Sequence, residues 1–180
     1  MRNVPFYSQY DESVPPEWRD RACGIMCLRM AMETYSSSTF AVHDLITEAL
    51  AVKAYQESVG WNHQGLVYMA HNRGIPAYQE EFRSLDYRTN EPQVLVQDQL
   101  MRHGIRKFKG ELARGNIILV SVGKDMKPGG APHIVLLVAA ESGGFRYHDP
   151  GKESAAKGAN QLILEDDFVK TWRLLSIVVG

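Results

Sequence analysis

Near residue 115 the apolar residues change their period, and this limits the fold more than any other feature of the chain. Before it they recur at three- and four-residue steps, the mark of amphipathic helices. After it they form short β-branched runs separated by Gly and Pro, the mark of strands and tight turns. Helices first and antiparallel strands second predict an α+β fold, not a doubly wound one. The 180 residues suit a single domain, with residues 1–115 mainly helical and 116–180 mainly antiparallel sheet.

A first helix is expected to begin near Cys23, with Ile25, Leu28, Met32 and Tyr35 on one apolar face. The Ser36-Ser37-Ser38 run reads as an interhelix loop, and a second helix is expected from about Val42 to Tyr55. A third follows Trp61, capped by Asn62, lined by Leu66, Met69 and Ala70 and stopped by Gly74. Ile75 to Tyr78 leaves it as an extended piece. The fourth spans about Pro92 to Arg102, with Val94, Leu95 and Leu100 on its buried side. The basic cluster from Arg102 to Lys109 then reads as a solvated helix end. In the second part, strands are expected at Asn116–Val122, His133–Ala140 and Phe145–Asp149, the last two joined by the Ser142-Gly143-Gly144 turn. A short helix at Glu165–Trp172 and a strand at Leu174–Val179 close the chain.

The formal net charge is -1, without the basic excess of a nucleic-acid binder. No apolar run approaches a membrane span, and Met1 to Phe6 lacks the pattern of a cleaved signal. The only cysteines, Cys23 and Cys27, lie four apart in one expected helix, a poor geometry for a disulfide. These features predict a cytoplasmic protein that binds neither nucleic acid nor membrane, with delivery by a route without a cleaved signal left open.

Cys23 followed by Gly24 at a helix start carries a chemical meaning. Free N–H groups and the positive helix end favour a thiolate, and a Gly permits close approach to the backbone. A buried, inert cysteine is the alternative. His133 enters an apolar strand from a Gly/Pro loop, and Asp149 ends the neighbouring strand. If the Ser142–Gly144 turn makes a hairpin, the start of one strand lies beside the end of the other, and base and orienting carboxylate meet. His148 is the alternative base, although it alternates with Asp149 and faces the other way if Asp149 points in. Gln9, in the extended segment Val4 to Gln9, has an amide able to supply an oxyanion donor. Trp18, Gly24 and Trp61 are candidates for the substrate cleft, Trp61 having a packing role as its alternative. His63 and His71 read as surface or capping residues, and Cys27 as core. A metal site built on Cys23, Cys27 and a His lacks a second close ligand pair, so neither metal nor organic cofactor is expected.

In order along the chain, Val4-Pro5-Phe6-Tyr7-Ser8-Gln9, Cys23-Gly24, Gly60-Trp61-Asn62-His63-Gln64-Gly65-Leu66, Gly74-Ile75-Pro76, Ile117 to Val122, His133 to Val138 and Tyr147-His148-Asp149-Pro150, then Phe168 and Trp172, resemble the C39-like peptidase family. The resemblance implies a papain-like fold and a cysteine peptidase of bacterial kind. Cys23 would be the nucleophile, His133 the base, Asp149 its partner and Gln9 part of the oxyanion hole, with a peptide or protein as substrate. The same triad would also serve an acyltransferase or deamidase, and a catalytically silent binding module could retain the fold. The chain lacks the ABC-transporter regions of bacteriocin-processing relatives, so no exporter linkage is expected.

Overall fold

The computed structural model describes residues 3–86, 88, 89, 91 and 94–180, with the backbone alone at 94 and 95. Its helices are α1 (Cys23–Tyr35), α2 (Val42–Ala51), α3 (His63–His71), α4 (Val94–Ala113), α5 (Ala155–Gly158) and α6 (Glu165–Thr171). A two-stranded ribbon pairs β1 (Tyr55–Gln56) with β2 (Gly60–Trp61). The main sheet comprises β3 (Ala77–Glu81), β4 (Ile117–Gly123), β5 (Pro132–Glu141), β6 (Gly144–His148), β7 (Gln161–Leu164) and β8 (Trp172–Val179). Its strand order is β3-β8-β4-β5-β6-β7, antiparallel throughout. This is the α+β arrangement expected from the change of period.

Both faces of the sheet are covered, which explains why β4 is apolar without alternation from Ile117 to Val120. Successive side chains point to opposite faces. Ile117 and Leu119 of β4, Ile134 and Leu136 of β5, and Ile177 and Val179 of β8 join one cluster with α1, α2 and α3. Ile118 and Val120, Val135 and Leu137, and Val178 join a second with α4 and α6. Apart from Arg29, every residue from Cys23 to Met32 in α1 is buried. The helix is therefore enclosed on all sides, not seated on the single apolar face expected. That enclosure fixes the position of its first residue.

α4 departs most from expectation. It continues past Arg102 to Ala113, so the basic cluster lies within the helix and not at its end. Gly104 normally weakens a helix by about 1 kcal/mol, but here a Cβ would stand 2.5 Å from the Trp172 ring. Its small size lets Trp172 and Phe82 pack against the helix, and Ile105, Phe108 and Leu112 bury the following turns at helical spacing. The expected start at Pro92 and the side chains of Val94 and Leu95 lie outside the described residues, and Leu100 is half-buried. α2 is shorter than expected, because Tyr55 leaves it for β1. β7 escaped the sequence reading because Leu162 and Leu164 are exposed and only Ile163 carries a strand's inward signal.

Phe108 anchors the second cluster, edge-on to Phe82 at 5.7 Å and to Trp172 at 5.0 Å. Phe108→Ala is expected to cost about 3–5 kcal/mol through lost burial and the cavity left behind. Chemical denaturation of the variant against wild type measures this. A loss under 1 kcal/mol would mean that α4 does not depend on this anchor.

Candidate active site

The enclosure of α1 sets Cys23 at its first turn, where backbone N–H groups lack partners within the helix. The side chain is 7% exposed and lines a cleft of about 550 Å³. His133 and Asp149 reach the same place from the sheet. In the β5–β6 hairpin Leu136 faces His148 across the strands, which brings the start of β5 to the end of β6. His133 Nε2 and Asp149 Oδ1 are 2.7 Å apart, and both residues are buried. Cys23 and His133 line the same cleft. Cys23, His133 and Asp149, three separate readings from sequence, thus converge on one locus.

The electrostatics follow from this contact. Burial alone would push the His133 imidazole down, but hydrogen bonds with Asp149 and Cys23 outweigh it and push it up to about 9. Burial acts on Asp149 in the raising sense. Hydrogen bonding to His133, the charge of that ring, the Gly151 N–H donating to Oδ1 at 2.8 Å and nearby Lys152 overcome it, holding the carboxyl below its ordinary range. A Cβ at Gly151 would stand 3.1 Å from the His133 ring, so a residue without a side chain lets the loop close over the pair. The site therefore holds an anionic carboxylate against an imidazole that retains its proton at neutral pH.

The two cysteines differ sharply. Cys27 is fully buried and donates to Ile134 O at 3.4 Å. Burial pushes its thiol well above the ordinary range, and the charges of Cys23 and Asp149 push the same way. It is a core thiol.

The chain matches the model of the Peptidase_C39 like family over residues 1–178. It belongs to that family. Among solved structures it resembles a C39-like protein from Bacillus anthracis, with 16% identity, a TM-score of 0.65, and coverage of 100% of this chain and 96% of that one. It also resembles a double glycine motif protease from an AMS/PCAT transporter in complex with the leader peptide (14%, 0.60, 99% and 91%). A third likeness is to the peptidase domain of Streptococcus ComA, a bifunctional ABC transporter involved in quorum sensing (14%, 0.59, 99% and 98%). No curated protein matches the chain. These likenesses show a shared fold, the papain-like arrangement of a helix bearing Cys23 at its start against an antiparallel sheet.

Within this C39-like fold Gln9 is buried at the cleft and hydrogen-bonds through Nε2 to Arg19 O at 2.6 Å. A carbonyl only accepts, so Nε2 faces it and keeps one N–H to spare. Gln9 N also donates to Pro150 O at 2.8 Å, tying it to the residue after Asp149. Trp61 lines the cleft, its Nε1 donating to Arg21 O at 2.7 Å. Gly24 does not line it: a Cβ there would fall 2.6 Å from the Trp61 ring, so the open backbone expected for a substrate carbonyl is occupied by indole. Trp18 sits behind the rim, edge-on to Tyr55 at 4.9 Å, and Tyr55 in turn meets Trp61 at 5.0 Å.

His148 does not join the site. It is 1% exposed, 3.3 Å from Val4 O through Nε2, and accepts from Asn160 N through Nδ1. It fastens the N-terminal segment to β6. Burial lowers its affinity for a proton. A histidine whose folded value is depressed stays neutral in the fold while the unfolded chain protonates near pH 6.5. Stability is therefore present above about 6.5 and lost below it. Urea midpoints should fall between pH 7 and 5, and fall less in His148→Gln. An identical pH dependence in the variant would remove His148 as the cause.

Sequence reasoning missed His63 and Ser121. His63, expected at the surface, lines the cleft and lies 2.9 Å from Ser121 Oγ through Nε2. Ser121 interrupts the apolar run of β4, and a polar residue there needs a partner; that was the available signal. Among the described residues no group of three His, Cys, Asp or Glu side chains is placed to hold a metal ion, and no helix is long and apolar enough to cross a membrane.

Proposed function

We propose that this member of the family is a cysteine peptidase, with Cys23 as nucleophile, His133 as general acid and base, and Asp149 as the residue that orients His133. The carboxylate-bound imidazole of His133 on the cleft that Cys23 also lines carries this reading. The Cys23 sulfur, its proton held by His133, attacks the carbonyl carbon of a peptide bond. The oxygen becomes anionic and accepts from the Cys23 N–H and the spare N–H of Gln9 Nε2. Collapse breaks the C–N bond, His133 gives its proton to the departing amine, and a thioester remains on Cys23. Water enters, His133 takes a proton from it, and hydrolysis releases the acid and returns the Cys23 sulfur to its starting state beside the protonated ring. The peptide or protein substrate occupies the cleft between the Tyr55–Trp61 rim and the sheet.

The test is incubation of wild type and Cys23→Ala with a degenerate peptide library, with products read by mass spectrometry. New termini in wild type and none in the variant are expected. An acyl adduct without hydrolysis, discharged by added amine, would instead identify an acyltransferase.

A further inference from the structure

Beyond the triad, the cleft carries a basic end built on an irregularity in β8. Val120 pairs with Ser176 and Val122 with Trp172, so Arg173, Leu174 and Leu175 together oppose the single residue Ser121. Leu174 sits at a φ of 64°, a left-handed conformation that a branched non-Gly residue adopts only under strain. Its carbonyl accepts from Phe82 N at 2.8 Å, which ties the bulge down. Bulges re-aim side chains, and here Arg173 and Leu175 both line the cleft.

The charge of this lining is not inherited from the chain, whose formal net charge is -1. Arg21, Arg83, Lys124 and Arg173 border the cleft against one acidic residue, Asp20. Arg21 and Arg83 are paired, with Glu57 and Glu81. Arg173, in the β8 bulge, and Lys124, the residue after β4, have no carboxylate within ion-pairing distance among the described residues. Two uncompensated cations thus face a concave surface, one placed there by a strained bulge.

Resting on the peptidase reading above, we infer that Arg173, assisted by Lys124, forms a subsite for a carboxylate-bearing residue of the peptide substrate. The register sets its position. His133 lies opposite Val122, and Val122 opposite Trp172, so Arg173 follows a residue two strands from the imidazole. At about 4.8 Å between strands that is roughly 10 Å, or two to three residues of extended peptide. A guanidinium favours a carboxylate through paired N–H groups. The acidic residue therefore stands two or three residues from the bond that is cut.

The test is the degenerate library cleaved by wild type and by Arg173→Glu, with Cys23→Ala as blank. In wild type, Glu and Asp should be enriched over Gln and Asn about tenfold at one position two or three residues from the cut, and less so at high salt. In Arg173→Glu the same position should turn to Lys and Arg. Cleavage by wild type without acidic enrichment there, or enrichment unchanged in Arg173→Glu, would overturn the subsite. No cleavage by wild type would overturn the peptidase reading, and the subsite with it.

Discussion

Replacing Cys23 with alanine is expected to lower turnover by at least about 10³-fold, whereas Cys27→Ala changes it by no more than two- to threefold. The two thiols share one helix four residues apart, so the contrast isolates position from chemistry. Cys23 borders the cleft that His133 also lines. Cys27 is enclosed, bonded to the Ile134 carbonyl, and held protonated by burial. Its loss removes a small buried side chain and no reacting atom. Purified variants assayed on the same library substrate measure both effects. Equal losses in the two variants would point to damage of α1 and not to the loss of a nucleophile.

The second large effect concerns pH. His133 has a folded value raised to about 9, by contacts with Asp149 and Cys23 that outweigh burial. The leaving amine needs its proton, so turnover is expected to hold as pH rises from neutrality and to fall as pH passes about 9. Asp149→Asn removes the negative charge that retains that proton. The alkaline limb should then shift down by about one to two pH units toward the ordinary histidine value near 6.5. Turnover at the optimum should also fall by about 10²–10⁴-fold, because the ring loses its orienting acceptor. The same linkage reaches stability. A raised histidine stabilises the fold fully below about 6.5 and ceases to do so above about 9, opposite in sign to His148. A profile whose alkaline limb stays in place in Asp149→Asn would detach Asp149 from His133.

The candidacy of Cys23, His133 and Asp149 was legible because each rests on a local rule. The hairpin turn alone brings His133 to Asp149, whereas Cys23 joins them through the packing of α1 on β5. Other features depend on tertiary fit. Gly104 reads as a helix breaker until Trp172 occupies the space above it. Gly24 reads as open backbone until Trp61 covers it. The Arg173 bulge has no sequence mark, since Leu174 is a poor residue for a left-handed φ and only the pairing of β4 with β8 demands it. His63 and Ser121 lie 58 residues apart and meet only once α3 docks on β3 and β8.

Labelling by a thiol-directed activity probe, located by peptide mass spectrometry, tests the central claim most directly. In wild type at neutral pH the adduct should form at Cys23 and not at Cys27, and His133→Ala should slow it by about 100-fold or more. Labelling of Cys23 at the same rate with and without the imidazole would mean that the sulfur acts alone, and would leave a binding module in place of a peptidase.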